Sequence, residues 1–198
     1  MKNSGLAFKK RAGRLSGKVL LIQNTSDLNL DGHKKTEGLG FRSEHSFGIK
    51  IHGCIAVSPD GVPLGLLTQK YETRAARKDS RTKEELKRRP LEEKERYRWL
   101  ETLRKSLDSL PPEAEPITVY EREGDFYERY AQAQNPGADF VIRVIHDRKS
   151  NPDEKTVTPL RLTEPIGTAS VTIPRDSRGN KKAREVDMEV AYTRVTLR

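Results

Sequence analysis

The clearest pattern in this sequence is a set of short extended segments within its first seventy or so residues. Residues 19–23 form an apolar run typical of a buried strand, and the polar residues 24–27 close it. In 48–57, four apolar side chains fall on one face at a period of two. The turn residues 58–61 (Ser-Pro-Asp-Gly) follow, and the chain returns as a strand over 62–71. We therefore predict a three-stranded antiparallel meander.

Helical spacing begins further along the chain. The charged segment 73–90 predicts a solvated loop or frayed helix, and apolar residues three and four apart then predict a helix over 91–110. Short strands are predicted at 117–120 and 140–145, with a helix at roughly 125–134 between them. The resulting order, β-β-β-α-β-α-β, predicts an α/β fold with a mixed sheet.

The last part of the chain changes character. Strand-like segments at 156–162, 166–173 and 186–197 are separated by prolines and by a Gly-Asn-Lys-Lys turn. We interpret this part as the start of a β-rich insertion. Because the sequence ends inside a strand-like segment, which would leave a sheet edge without its partner, we expect a truncated chain.

Composition narrows the class of protein. Among 198 residues, 38 Lys and Arg outnumber 29 Asp and Glu, so the net charge is +9. Such an excess favours a polyanionic partner, because phosphate binding releases counterions, but it does not distinguish DNA from RNA. The single cysteine, Cys54, excludes an internal disulfide framework. With neither an apolar run of roughly 18–20 residues nor a signal peptide, we expect a cytoplasmic protein without membrane contact.

The element order and several short motifs resemble one family. Ribonuclease H-like enzymes follow this order and place one carboxylate on the first strand and a second just after the fourth. Two segments here resemble the catalytic blocks of bacterial insertion-sequence cut-and-paste transposases of the Asp-Asp-Glu type, in the branch with a Tyr-Arg-Glu-Lys signature. They are 22–28, where the family pattern is Gln-Asp-Thr-Thr-Glu-Leu, and 119–125, where it is Asp-Arg-Glu-Ala-Asp after a strand. Other similar stretches, which extend the resemblance over residues 18 to about 150, are 37–40, the strand around His52, 63–67, 93–100 and 140–149.

The resemblance implies a fold, a reaction and partners. We expect a partial ribonuclease H-like core at 18–150, after a basic tail or remnant of an N-terminal DNA-binding region at 1–17, and a truncated β-rich insertion at 151–198. Family members cut and join DNA at transposon ends with Mg²⁺ or Mn²⁺, since two metal ions can activate the attacking and leaving oxygens of a phosphodiester. DNA in the nucleoid is therefore the expected partner. Intact relatives act as homodimers that pair two transposon ends.

The catalytic positions depart from the family pattern. Asn24 stands where the family has its first Asp, Glu121 stands at the second, and the third carboxylate lies beyond the end of this sequence. An amide is a neutral metal ligand, and the extra methylene of Glu moves its oxygens by roughly 1 Å, a shift to which catalytic geometry is sensitive. We therefore expect Asn24 and Glu121 to bind metal weakly or not at all, and we predict that strand cleavage is lost.

Basic residues supply the candidate DNA contacts. The resemblance implies that Arg143 touches transposon-end DNA near the active site, and an ordinary solvent-facing arginine is the alternative. Two further basic clusters, one after the same strand and one on the predicted hairpin of the insertion, are candidates for phosphate contact, with a solvated charge run as the alternative. They are His146, Arg148 and Lys149, and Lys181, Lys182 and Arg184.

Three functions remain open at this point. The first is a relic of a transposase that has lost its activity, and the second is a non-catalytic DNA-binding derivative that competes for transposon ends. The third is a residual metal-dependent nuclease that uses Glu121, Asp27 and Asp125, although a helix cap explains Asp125 better and an ion pair explains Glu123 better. An unrelated basic RNA-binding protein is the remaining alternative.

Overall fold

The chain divides into two compact units, Met1–Val144 and Ile145–Arg198. The structure, a computed structural model, describes residues 17–33, 35–43, 46–73, 82–132, 139–148, 163–176 and 181–194. The elements of the first unit are β1 (Gly17–Asn29), β2 (Gly40–Ser43), β3 (Ser46–Val57), β4 (Pro63–Glu72), α1 (Lys83–Arg88), a 3₁₀ turn (Leu91–Glu93), α2 (Tyr97–Leu107), β5 (Ala114–Tyr120), a second 3₁₀ turn (Arg122–Gly124), α3 (Tyr127–Gln132) and β6 (Asp139–Ile142). Those of the second unit are β7 (Gly167–Ile173) and β8 (Arg184–Val190).

A mixed sheet organises the first unit. β1 pairs antiparallel with β3, which pairs antiparallel with β4 and with the short β2. On its other side β1 pairs parallel with β5, and β5 pairs parallel with β6. The order is therefore β4-β3-β1-β5-β6, with β2 also pairing with β3. The predicted α/β class with a mixed sheet and the predicted antiparallel meander are both confirmed.

Helix α2 covers one face of this sheet. Alternate residues of β1, including Val19 and Leu21, are buried on that face, because successive strand side chains point to opposite sides. Trp99 of α2 is 1% exposed and belongs to the core on this face. Apolar residues on the opposite face remain more accessible, with Ile55 39% exposed and Val141 59% exposed. The two faces of the sheet are therefore packed very differently.

The helices begin and end differently from the prediction. The helix predicted at 91–110 is a 3₁₀ turn and the shorter α2, separated by the extended backbone of Lys94. The helix predicted at 125–134 is likewise a 3₁₀ turn followed by α3. Within the segment predicted as a loop or frayed helix, α1 forms because Thr82 and Glu85 cap each other's backbone N–H groups. The short β2 was not predicted.

The second unit contains an antiparallel ribbon of β7 and β8. The strands predicted at 166–173 and 186–197 correspond to these two, but β8 begins at Arg184 and ends at Val190. The strand predicted at 156–162 lies outside the described residues. Over the part of the chain that the structure describes, no helix is both long and apolar enough to cross a bilayer.

Candidate functional site

A row of polar residues lies where the parallel pairing of β1, β5 and β6 ends. β1 itself does not close at 24–27 as predicted but continues to Asn29, because it stays paired with β3. The register pairs Gln23 of β1 with Tyr120 of β5, and the same register continues into β6. One residue further along each strand lie Asn24, Glu121 and Arg143, which we call the strand-end row. Adjacent strands are about 4.8 Å apart, so these residues are neighbours across the sheet. The positions that match the two catalytic blocks of the family are thus side by side, with Arg143 next to them.

The strand-end row faces solvent. Asn24, Glu121 and Arg143 are exposed, whereas Tyr120, which precedes Glu121, is 3% exposed. Because strand side chains alternate, Asn24 and Glu121 lie on the face of the sheet opposite to α2. The Oδ1 atom of Asn24 accepts a hydrogen bond from the backbone N–H of Thr25 at 2.7 Å. The backbone N–H of Arg143 donates to the Tyr120 carbonyl at 3.1 Å, which holds the end of β6 beside β5.

Four side chains on the face covered by α2 form a buried polar chain beneath this row. His52 Nε2 lies 3.3 Å from Gln23 Oε1, and Gln23 Nε2 donates to the Tyr120 hydroxyl at 3.2 Å. His52 Nδ1 lies 2.9 Å from Oγ1 of Thr25. Since the Gln23 amide presents its oxygen to the ring, Nε2 of His52 carries the proton and Nδ1 accepts a hydrogen bond from Thr25. The buried polar chain therefore joins β3, β1 and β5 at the level of the row.

Burial keeps the side chains of the buried polar chain uncharged. Desolvation, reinforced by the positive charges of Arg98 and Lys70, lowers the pKa of His52 from 6.5 to about 4. Desolvation also raises the pKa of Tyr120 to about 12, although the nearby charge of Arg129 opposes that rise. At neutral pH both side chains are therefore neutral hydrogen-bonding groups.

Helix α3 and the turn before it hold Tyr120 in place. The guanidinium of Arg129 lies 4.6 Å over the centre of the Tyr120 ring, and its Nη2 donates to Thr118 Oγ1 at 2.8 Å. Gly124 packs so closely that a Cβ there would come within 2.6 Å of the Tyr120 Cβ. The family pattern has Ala at this position, so the second block departs from it in packing as well as in its carboxylate.

The other acids proposed as metal ligands have different partners. Asp27 forms an ion pair with Lys50 at 3.0 Å, on the face covered by α2. Asp125 is 4% exposed and accepts a hydrogen bond from the Tyr130 hydroxyl at 2.8 Å. Glu123 lies 3.6 Å from an arginine of α2, as expected for an ion pair. Among the described residues, no group of three or more His, Cys, Asp or Glu side chains could hold a metal ion.

The strand-end row does not fit a two-metal centre. It offers one carboxylate, from Glu121, and one neutral amide, from Asn24, whose oxygen already accepts a hydrogen bond. Mg²⁺ requires hard oxygen ligands in octahedral geometry and is usually bound through carboxylates. Glu121 alone would have to supply the negative charge, so no metal-assisted step follows from these residues.

The basic residues after β6 are divided by the structure. Arg143 belongs to the strand-end row, whereas His146 and Arg148 belong to the second unit. Nη1 of Arg148 lies 3.5 Å from the His146 carbonyl, so this side chain is engaged locally. Lys149 lies outside the described residues.

The ribbon of the second unit concentrates its basic residues at one end. Lys181 and Lys182 are exposed just before β8, and Arg184 is its first residue. Arg184 shares the apolar face of the ribbon, since Val186 alternates with it. The opposite face of β8 carries carboxylates, which repel phosphate, so only the turn end of the ribbon has the charge that would suit a polyanion. These carboxylates belong to Glu185, Asp187 and Glu189.

Sequence reasoning assigned no role to the residues beneath the row. In the sequence, Gln23 closes a predicted buried strand, His52 lies in a strand that resembles a family stretch, and Tyr120 ends another predicted strand. A signal was present, because Gln23 falls at an inward position of an apolar run and buried polar groups need hydrogen-bond partners. The identity of those partners depended on strand register.

Comparison with known proteins provides no identification. No protein-family model matches this sequence, and a search of curated proteins finds no significant match. The resemblance to insertion-sequence transposases accordingly stays a proposal, supported by the motifs and by the geometry of the strand-end row.

Proposed function

We propose that this chain is a transposase-type protein of DNA transposition, with a ribonuclease H-like core and an impaired catalytic site. The strand order β4-β3-β1-β5-β6 supports this fold. An antiparallel meander leads into two strands that are parallel to β1, as in ribonuclease H-like enzymes. That arrangement brings a residue of the first strand next to one just after the fourth long strand.

The observation that carries the proposal is the juxtaposition of Asn24 and Glu121. Both belong to sequence motifs that resemble the family's catalytic blocks, and they lie one residue past a paired position on adjacent strands. Ligands of open α/β sheets bind at the carboxyl ends of parallel strands, and these two residues lie just past the end of the parallel pairing between β1 and β5. An unrelated basic protein offers no reason for motif positions so far apart in sequence to meet there.

The chemistry proposed for this chain is reduced rather than complete. With a single carboxylate in the strand-end row, we expect binding of Mg²⁺ or Mn²⁺ to be weak and cleavage to be lost. DNA binding is the property that remains, and Arg143 places an exposed cation in the same row as Asn24 and Glu121. A location in the nucleoid belongs to the same proposal, whereas homodimerisation on paired transposon ends is expected of the intact family and is not proposed for this chain.

The test is calorimetric titration of Mn²⁺ into the wild type and into an Asn24→Asp, Glu121→Asp variant. The variant restores the family's pair of carboxylates, so we expect it to bind Mn²⁺ at least about tenfold more tightly than the wild type. The matched control is Asn29→Asp with Glu115→Asp, which makes the same chemical changes on the same two strands away from the row. The control should bind no better than the wild type.

Each other outcome has a definite meaning. If both variants bind equally, the gain comes from net charge and the site assignment fails. A third outcome is that the Asn24→Asp, Glu121→Asp variant shows no more Mn²⁺ binding than the wild type while circular dichroism shows that it is folded. In that case the row is not a metal site and the proposal loses its main support. Tight binding by the wild type would contradict the predicted impairment.

A second candidate function is a non-catalytic protein that competes for transposon ends. It is favoured by the net charge of +9 together with the neutral residue at position 24, which leaves DNA binding without cleavage. We expect specific binding of end-containing DNA to persist at moderate salt, whereas non-specific phosphate binding fades. A Lys181→Glu, Lys182→Glu variant should lower the salt dependence of the DNA affinity. Equal affinity for end-containing and scrambled DNA would exclude this function.

A further inference from the structure

His52 contacts both neighbours of Asn24. Its Nδ1 pairs with Thr25 Oγ1 at 2.9 Å and its Nε2 with Gln23 Oε1 at 3.3 Å, so a single ring on β3 holds the residues on either side of position 24. These bonds are made on the face covered by α2, while Asn24 points to the opposite face. The ring therefore restrains the strand carrying Asn24 without touching its side chain.

The same contacts extend to Glu121. The Gln23 amide accepts a hydrogen bond from His52 through its oxygen and donates one to the Tyr120 hydroxyl at 3.2 Å through its nitrogen. Tyr120 directly precedes Glu121. The ladder between β1 and β5 ends at this pair, so beyond it no strand pairing fixes the distance from Asn24 to Glu121. The side-chain bond between Gln23 and Tyr120 lies where that restraint is needed.

Packing restricts His52 to this arrangement. The side chain is 1% exposed and meets the Trp99 ring at a centroid distance of 4.5 Å with the planes 63° apart. An aliphatic residue would fill the space between β3 and α2 without burying polar atoms, which require partners. The two ring nitrogens thus do more than fill the core.

We propose that His52 is a positioning residue for the strand-end row, which sets the relative placement of residues 24 and 121 through Thr25, Gln23 and Tyr120. The inference rests on the proposed function insofar as the row is a metal and DNA site. The restraint on the backbone is a property of the wild-type chain, and it can be measured without metal.

The first measurement is residue-resolved amide hydrogen exchange of the wild type and a His52→Phe variant. Phenylalanine keeps a ring against Trp99 but makes neither hydrogen bond. We expect the exchange rate to rise about tenfold in the variant at residues 23–25 and 120–122. At residues 19–21 of β1 the rate should stay close to that of the wild type. Ser109→Ala is the control, because it removes a hydroxyl just after α2 that donates to the Lys105 carbonyl of the same helix at 2.8 Å. It should show no such local difference.

The second measurement places the same change in the Asn24→Asp, Glu121→Asp background. His52→Phe should weaken Mn²⁺ binding by about tenfold, since a ligand pair loses affinity when its spacing is no longer fixed. His52→Asn, which can keep the bond to Thr25, and His52→Gln, which can keep the bond to Gln23, should each restore part of it. If His52 only filled space in the core, neither variant would recover Mn²⁺ affinity.

The two measurements separate the two proposals. A uniform loss of protection along β1 with unchanged Mn²⁺ affinity would reduce His52 to a structural residue. A silent Asn24→Asp, Glu121→Asp variant overturns the proposed function, and hydrogen exchange then decides the role of His52 alone. If His52→Phe does not fold, Thr25→Val is measured in its place. This variant removes the hydrogen bond between Thr25 and His52 at the half-buried end of the buried polar chain.

Discussion

Gln23 donates a hydrogen bond to the hydroxyl of Tyr120 at 3.2 Å, and this contact joins the parallel strands β1 and β5 at the last position where they pair. Both side chains are at most 3% exposed. In an apolar core, a polar contact of this kind is specific, because leaving either partner alone costs more than the bond itself contributes. The geometry of the strand-end row therefore depends on groups that lie on the other face of the sheet.

Replacing Gln23 by Leu should show that dependence in the stability of the protein. The change leaves both the Nε2–H of His52 and the Tyr120 hydroxyl without this partner, and we expect the free energy of unfolding to fall by about 1–3 kcal/mol. Urea denaturation followed by circular dichroism measures the loss. The same substitution at the exposed Gln69 of β4 should change stability by less than about 0.5 kcal/mol, and an equal loss at both positions would contradict the argument.

The depressed pKa of His52 predicts a stability that depends on pH. The unfolded chain protonates at 6.5 and the folded chain at about 4, so between these values the unfolded state binds more protons. Stability is thus fully present above pH 6.5 and is lost as pH falls towards 4, by roughly 3 kcal/mol. Denaturation curves at half-unit pH intervals measure the slope. His52→Gln should flatten the curve in this window, and a slope that survives the substitution would assign it to other groups.

Glu101 predicts a second loss at lower pH. Hydrogen bonds from Lys105 at 2.6 Å and Lys70 at 2.7 Å lower its pKa from 4.5 to about 2. Because this pKa is lowered on folding, the contribution is present above pH 4.5 and disappears as pH falls through 2. Glu101→Gln should cost about 1 kcal/mol at pH 7, reduced by added salt. Glu92→Gln, at an exposed position, is the control and should have no comparable effect.

Glycines in β3 provide a test of the strand register. A Cβ on Gly48 would come within 1.9 Å of the Leu28 carbonyl oxygen, whereas a Cβ on Gly53 would be 3.4 Å from its nearest neighbour. Gly48→Ala should therefore separate the ends of β1 and β3 and lower the free energy of unfolding by about 1–3 kcal/mol, and Gly53→Ala should cost much less. Thermal denaturation of the two variants compares them directly. A larger effect at Gly53 would be incompatible with the register described above.

Much of the sheet could be predicted from local pattern. Alternating residues of β3, the Pro-Asp-Gly turn and the apolar run of β1 each carry their signal within about ten residues, and the meander follows from their order. The helix boundaries were harder to predict, because Lys94 adopts an extended conformation that helical spacing does not reveal. Short elements such as β2 are formed by pairing with β3 and have little signal of their own.

Sequence motifs indicate the exposed side of the candidate site, whereas they do not indicate the buried side. Asn24 and Glu121 could be chosen because their motifs are local, and their adjacency followed only once the register of β1 and β5 was known. The contacts of His52 arise from pairing between strands and from packing under α2. The sequence alone contains the residue types of the buried polar chain, but it does not contain the strand register that connects them.

Trp99 gives this architecture a practical consequence. It is the single tryptophan of the chain, and its ring lies 4.5 Å from that of His52 and 5.6 Å from that of Tyr120. Indole emission is sensitive to polarity and is quenched by a protonated imidazole in contact with it. The intrinsic fluorescence of the protein is therefore a local optical signal from beneath the ends of β1 and β5. We expect the intensity of the Trp99 emission to follow the protonation of His52, and its wavelength to follow the entry of water between α2 and the sheet.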